Sequence, residues 1–186
     1  PRGRIHGLIG RNGSDKTVLL KCISGLVPLS SGSVVVQGKR IGKDIEMPPS
    51  MGAIIETPGF LPNYSGYKNL RFLAGIKGLI GSDQIRQAMH RVGLDPDSRK
   101  WVSKYSLGMR QRLGIAQAIM EDPDLLILDE PMNGLDNQGV REMRKLLLDL
   151  SAQGKTILLA SHDPVDIEEL CDRVYEMDAG KIQRVQ

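Results

Sequence analysis

The chain has 186 residues, 40% hydrophobic and 25% charged, with a net charge of +3. That length suits one domain with a sizeable core, and the charge is spread without long runs of one sign. The short basic cluster Lys39, Arg40, Lys43 reads as a solvated loop, not a nucleic-acid footprint, and the longest apolar runs, such as residues 125–128, fall far short of the roughly 20 residues that span a bilayer. Cys22 and Cys171 lie far apart without metal spacing, so they read as reduced, buried thiols and no disulfide is expected.

In chain order, residues 4–10 read as a buried strand and residues 16–26 as a helix, with Gly25 near its end. A β-branched run comes next at 33–38, closed by a turn, and then a strand at 51–56. The stretches 66–79, 82–94 and 106–120 are helical patterns separated by Gly, Asp and Pro, which predicts a helical insert over about residues 65–120. Alternation then returns: a buried strand in 124–131, an amphipathic helix over 137–154, a second buried strand in 155–162, a last helix after Asp163, and a hairpin over 173–185 turning at Ala179-Gly180. The sum is an α/β fold with a parallel sheet, a small antiparallel β patch and an inserted helical subdomain. Because a strand begins almost at once, the chain is expected to be a fragment lacking N-terminal strands.

The stretch Gly10 to Thr17, GRNGSDKT, nearly spells the phosphate-binding pattern G-x-x-x-x-G-K-[ST], with Asp15 where the second glycine should stand. Strand, glycine turn and helix form the context that such a P-loop needs. Its backbone amides cradle phosphate oxygens at a helix N-terminus, Gly10 and Gly13 supply the turn, Lys16 reaches the β/γ-phosphates, and the Thr17 hydroxyl ligates Mg²⁺. Asn12, Ser14, Asp15 and Val18 complete the expected nucleotide-binding stretch. A second element, LLILDE, puts Asp129 and Glu130 at the carboxyl end of a strand, where parallel sheets bind ligands. Asp129 can hold Mg²⁺, and Glu130 can orient or deprotonate an attacking water.

The third element is YSLGMRQRLGIAQAI just upstream of that strand, with Gly134-Leu135-Asp136 and then His162 downstream. In order and spacing these motifs resemble the ATP-binding subunits of ABC transporters over essentially the whole chain. The resemblance implies two chains packed head to tail around two ATP molecules. The signature residues Ser106, Leu107, Gly108 and Met109 of one subunit would cap the γ-phosphate held by Lys16 of the other, with Asp136 in the D-loop and His162 as the switch histidine. Leu107 and Met109 depart from the common glycine and glutamine, and SLGM is similar to the variant of bacitracin and lantibiotic export systems. Glu56 stands where most of the family has a Mg²⁺-touching glutamine, again as in lantibiotic-immunity transporters; a carboxylate can also ligate Mg²⁺.

The same resemblance implies an ATP- and Mg²⁺-using ATPase in the cytoplasm, peripheral on the inner face of the membrane. It would pair with a second ATP-binding subunit and a transmembrane permease, docked near residues 56–67 and the helical subdomain. Two alternatives stay open: a non-hydrolysing regulatory subunit of the same transporter type, and a soluble ABC ATPase acting on ribosomes or DNA. His6 and His90 read as structural, and Trp101 with Met47, Met51, Met89, Met109 and Met120 as packing or coupling-surface residues. The family also stacks adenine on an aromatic residue before the P-loop, and none of residues 1–10 is Phe, Trp or Tyr.

Asp15 is the anomaly. It brings a carboxylate close to a polyanionic ligand, and at an effective dielectric near 20 one like-charge pair at ~4 Å is unfavourable by roughly 4 kcal/mol before relaxation. ATP affinity is therefore expected to be at least about tenfold weaker than in an Asp15→Gly chain.

Overall fold

A computed structural model describes residues 3–11 and 13–186. The elements in order are β1 (Ile5–Ile9), α1 (Lys16–Ser24), β2 (Val35–Val36), β3 (Lys39–Arg40), β4 (Met51–Ile54), α2 (Gly66–Lys77), α3 (Ser82–Arg91), α4 (Leu107–Ile119), β5 (Leu125–Asp129), α5 (Asn137–Ala152), β6 (Thr156–Ala160), α6 (Pro164–Leu170), β7 (Arg173–Asp178) and β8 (Lys181–Arg184). A short 3₁₀ turn, Val102–Lys104, precedes α4.

The main sheet has the order β4-β5-β6-β1-β7-β8. Its strands run parallel except for β8, which pairs antiparallel with β7 as a hairpin. Ala179 and Gly180 turn that hairpin with φ of 45° and 73°, the pair of left-handed conformations that a tight primed turn requires. The register pairs Asp129 with Ala160, and Ala160 with Leu8, so the carboxyl ends of β5, β6 and β1 share one edge. The loops leaving these three strands are all delivered to that edge.

Both faces of the sheet are covered, as a parallel sheet demands. Leu126 and Leu128 point into the larger apolar cluster, shared with Leu70 of α2, Met89 of α3, Leu113 of α4 and Leu147 of α5. Ile127 points the other way, into a smaller cluster with Leu8, Leu20 of α1 and Met177. All three β5 side chains are fully buried, which explains why the strand reads as a continuous apolar run without alternation. The helices 66–119 share the larger cluster with the sheet, and α4 lies so close to β4 that a side chain on Gly52 would overlap the carbonyl of Ala118.

Several expected elements shorten. The helix from Lys16 stops at Ser24 because Gly25, at φ 81°, turns left-handed and donates its N–H to the carbonyls of Lys21 and Cys22. The strand at 51–56 stops at Ile54 because Glu56 is left-handed, with φ 63°. The run at 33–38 keeps only Val35–Val36 in ladder with Lys39–Arg40, forming the small antiparallel patch.

Candidate functional site

The loop after β1 is built around close backbone approaches. A side chain on Gly10 would overlap the carbonyl of Met177 and lie 2.6 Å from the Ser14 hydroxyl, so only glycine fits there. Ser14 is 6% exposed and its Oγ has no hydrogen-bond partner among the described residues, an unsatisfied buried hydroxyl within the loop. Asp15 adopts φ 66° and ψ 19°, the left-handed well that Asp and Asn enter more readily than other side-chain-bearing residues. It occupies the N-cap of α1 without a side-chain capping bond, and its carboxylate is exposed. Lys16 is 8% exposed and curls back over the loop, its Nζ donating to the carbonyls of Gly10 (2.7 Å) and Arg11 (3.1 Å). Val18 faces solvent on α1, and Asn12 lies outside the described residues.

Thr17 Oγ1 donates to Asp129 Oδ2 at 2.7 Å across 112 positions of sequence. This joins the first turn of α1 to the end of β5. A hydroxyl beside a carboxylate is the hard-oxygen donor set that suits Mg²⁺. Among the described residues no three His, Cys, Asp or Glu side chains form a ready-made metal cage.

Glu130 comes after Asp129 in a left-handed conformation, φ 50°, with its N–H donating to the Ala160 carbonyl. Its carboxylate reaches His162, Oε2 to Nδ1 at 2.8 Å. The Glu130 hydrogen bond, reinforced by its charge, raises the His162 pKa above the ordinary 6.5. A cleft of about 710 Å³ opens beside the loop, lined by Gly10, Arg11, Ser161, His162, Glu168 and Glu176 among others.

The remaining expected site residues lie elsewhere. Glu56 turns its carboxylate to Lys21 of α1, 2.7 Å away, and is largely exposed. Ser106 caps α4 by accepting from the Met109 N–H, and Asp136 caps α5 by accepting from the Gly139 N–H at 2.7 Å. These two helix starts meet: a side chain on Gly108 would lie 2.7 Å from the Gly134 carbonyl, and one on Gly134 would overlap Leu107. Among the described residues no hydrogen bond joins residues 106–109 or 136 to the loop 10–17.

Two features escaped the sequence. Gln111 of α4, 9% exposed, donates to the carbonyls of Glu130 and Pro131, tying the signature-like helix to the acidic turn. The partly buried Arg144 joins the buried Asp166 and Ser161 in a polar cluster beneath His162. A polar or charged residue at the margin of a helix's apolar face was the available signal in both helices, and it is a weak one.

The family model for ABC transporters matches residues 1–133. The chain belongs to the ABC transporter family. Its relatives there include the bacitracin transport ATP-binding protein BcrA of Enterococcus faecalis, 45% identical over 98% of this chain and 60% of that protein. The lantibiotic transport ATP-binding protein SrtF of Streptococcus pyogenes is 37% identical over 98% of this chain and 78% of that protein. The chain thus spans less than two thirds of the length of the bacitracin relative. In fold it is similar to a dimeric ATP-binding cassette in a post-hydrolysis state bound to ADP and Pi, with a TM-score of 0.87, 18% identity and coverage of 100% of this chain and 87% of that one. Like other ABC cassettes, this one combines a parallel sheet, a small antiparallel patch and packed helices. Among the described residues no helix is long and apolar enough to cross a membrane.

Proposed function

We propose that this chain is the ATP-binding and ATP-hydrolysing subunit of a bacterial ABC transporter of the bacitracin and lantibiotic export type, with the cassette occupying residues 1–186. The observation that carries this reading is the convergence of Lys16, Thr17, Asp129, Glu130 and His162 at one sheet edge, with Glu130 already 2.8 Å from His162. The loop amides of Gly10–Val18 would receive the triphosphate, Asn12 among them, and the unsatisfied Ser14 hydroxyl adds a free polar group. Lys16 would exchange its two loop carbonyls for phosphate oxygens, a swap of neutral for charged acceptors.

Thr17 and Asp129 would hold Mg²⁺, with Glu56 contributing if it leaves Lys21. When bound, the ion supplies charge neutralisation at the phosphates. Glu130 orients the attacking water and takes its proton. His162, held by Glu130 and 62% exposed on its side chain, is free to donate toward the transferred group. Removing the Glu130 carboxylate as Glu130→Gln should reduce Mg-ATP hydrolysis at least about a hundredfold while leaving ATP binding intact. Unchanged turnover would sink the assignment.

The partners in this reading are a second cassette and a transmembrane permease, with no nucleic acid. Ser106, Leu107, Gly108, Met109 and Asp136 would face the nucleotide of the second cassette, which accords with their separation from the loop of their own chain. Residues 56–67 and α2, whose Phe72 and Ile76 are 50% and 78% exposed, would dock the permease and hold the chain at the cytoplasmic face of the membrane. One observation favours a second reading, a non-hydrolysing regulatory subunit: the uncapped, exposed Asp15 carboxylate stands at the mouth of the phosphate loop. Steady-state ATPase activity, present or absent, separates the two.

A further inference from the structure

We infer that the partly buried Arg144 and the buried Asp166 and Ser161 form a positioning triad that fixes the loop 161–163 and thereby sets His162 against Glu130. The inference deepens, and rests on, the reading of those two residues as the hydrolytic pair.

Asp166 of α6 is 1% exposed and Ser161 is 2% exposed. A carboxylate so deeply buried is unfavourable unless it is paired and hydrogen-bonded. Arg144 of α5 supplies the pairing, its Nε donating to Asp166 Oδ1 at 2.8 Å. The second oxygen, Oδ2, accepts from Ser161 Oγ at 3.1 Å. The same Ser161 oxygen accepts from the Asp163 N–H at 3.1 Å, so the hydroxyl uses its one proton and a lone pair in fixed directions. Ser161 N–H donates in turn to the Leu8 carbonyl of β1, and Asp163 Oδ1 accepts from Val165 N–H at 2.9 Å to cap α6.

His162 is therefore bracketed. The residues on both sides of it are pinned from below, while its own side chain stands largely in solvent with one partner, Glu130. An exposed imidazole on an untethered loop would sample several rotamers and spend only part of its time on that carboxylate. Buried ion pairs contribute little net stability compared with well-packed apolar side chains. The physical return of this one is geometric: α5, α6 and the end of β6 are locked together at the base of the histidine loop. Arg144 also donates to Glu169 at 2.8 Å, but Glu169 is more than half exposed and, among the described residues, makes no hydrogen bond to the loop, so it serves as an internal control.

The test uses the whole chain with ¹⁵N-labelled histidine. There are three histidines, and His162→Gln assigns the resonance. At one fixed pH, Ser161→Ala, Asp166→Asn and Arg144→Met should each move the His162 imidazole resonances toward those of Glu130→Gln, in which the pair is broken. Mg-ATP turnover should fall about tenfold or more with little change in KM, the usual scale for loss of an orienting partner. Arg144→Lys should return the resonances part-way, and Glu169→Gln should leave them native. If Asp166→Asn fails to fold, Ser161→Ala decides alone, because it removes one oxygen and leaves the ion pair. Folded variants with native His162 resonances would overturn the triad. A chain that lacks ATPase activity, yet whose His162 resonances move as described, would overturn the hydrolytic reading and uphold the triad.

Discussion

Glu130 Oε2 and His162 Nδ1 lie 2.8 Å apart, although 32 positions of sequence separate the two residues. The pair raises the histidine's pKa above its unfolded value of about 6.5, through the hydrogen bond first and the carboxylate charge second. A raised folded pKa contributes stability that is complete below the unfolded pKa and is lost as pH climbs through the folded one. Because the imidazole is mostly exposed, the contribution is about 0.2–1 kcal/mol. Melting temperatures of the native chain and of Glu130→Gln should differ most near about pH 6 and converge by about pH 9. A gap that is constant across that window would show that the pair does not titrate.

Asp15→Gly should tighten Mg-ATP binding at least about tenfold, ~1.4 kcal/mol. The backbone already sits at φ 66°, so the aspartate meets the conformational demand of the loop and the penalty is electrostatic. Asp15→Asn separates charge from shape: it tolerates the same left-handed backbone and should recover most of the affinity. Titration calorimetry on the three chains decides the matter. Weak binding by the asparagine form would assign the defect to bulk, and equal binding by all three would remove it.

Gly52→Ala should destabilise the fold by about 3 kcal/mol or more, a large effect for one methyl group. The added carbon meets the rigid helical carbonyl of Ala118 where α4 lies on β4, and backbone cannot swing aside. Chemical denaturation of the purified variant would measure it. A loss under about 1 kcal/mol, the ordinary scale of a point substitution, would mean that α4 shifts freely on the sheet.

The parallel sheet and the helices over it were legible in sequence because their signals are local. The four apolar residues before Asp129 are a strand buried on both faces, and a glycine or a capping Asp or Ser marks most helix ends. Thr17 and Asp129 could each be singled out because both belong to motifs whose spacing is tied to a ligand, but the hydrogen bond between them could not. What could not be read was everything set by tertiary approach. Nothing near Glu56 announces that its backbone turns left-handed and its side chain finds Lys21 on another element. Nor does Gln111, one polar residue in a helix, show by spacing that it is buried against the Glu130 carbonyl. A charge at a helix margin looks the same whether water or Asp166 covers it, so Arg144 was silent too.

Asp136→Ala should cost about 1 kcal/mol of stability, since it removes the cap that accepts from Gly139 N–H at 2.7 Å. The loss belongs to the single chain and should appear in thermal unfolding without nucleotide. Asp136→Asn, which also caps well, should restore most of it. If alanine melts like the native chain, the first turn of α5 is held by its packing alone.

Leu107 fills the space that a side chain at position 134 would need, and Gly134 sits at φ 76° beneath it. Position 134 is therefore barred twice, once by the leucine and once by its own backbone. A larger residue at 134 meets Leu107, and trimming 107 removes only that contact, because the left-handed backbone still favours glycine. Drift at 107 thus opens no path for drift at 134, and an engineer who transplants a glycine-rich signature into this chain must keep Gly134 all the same.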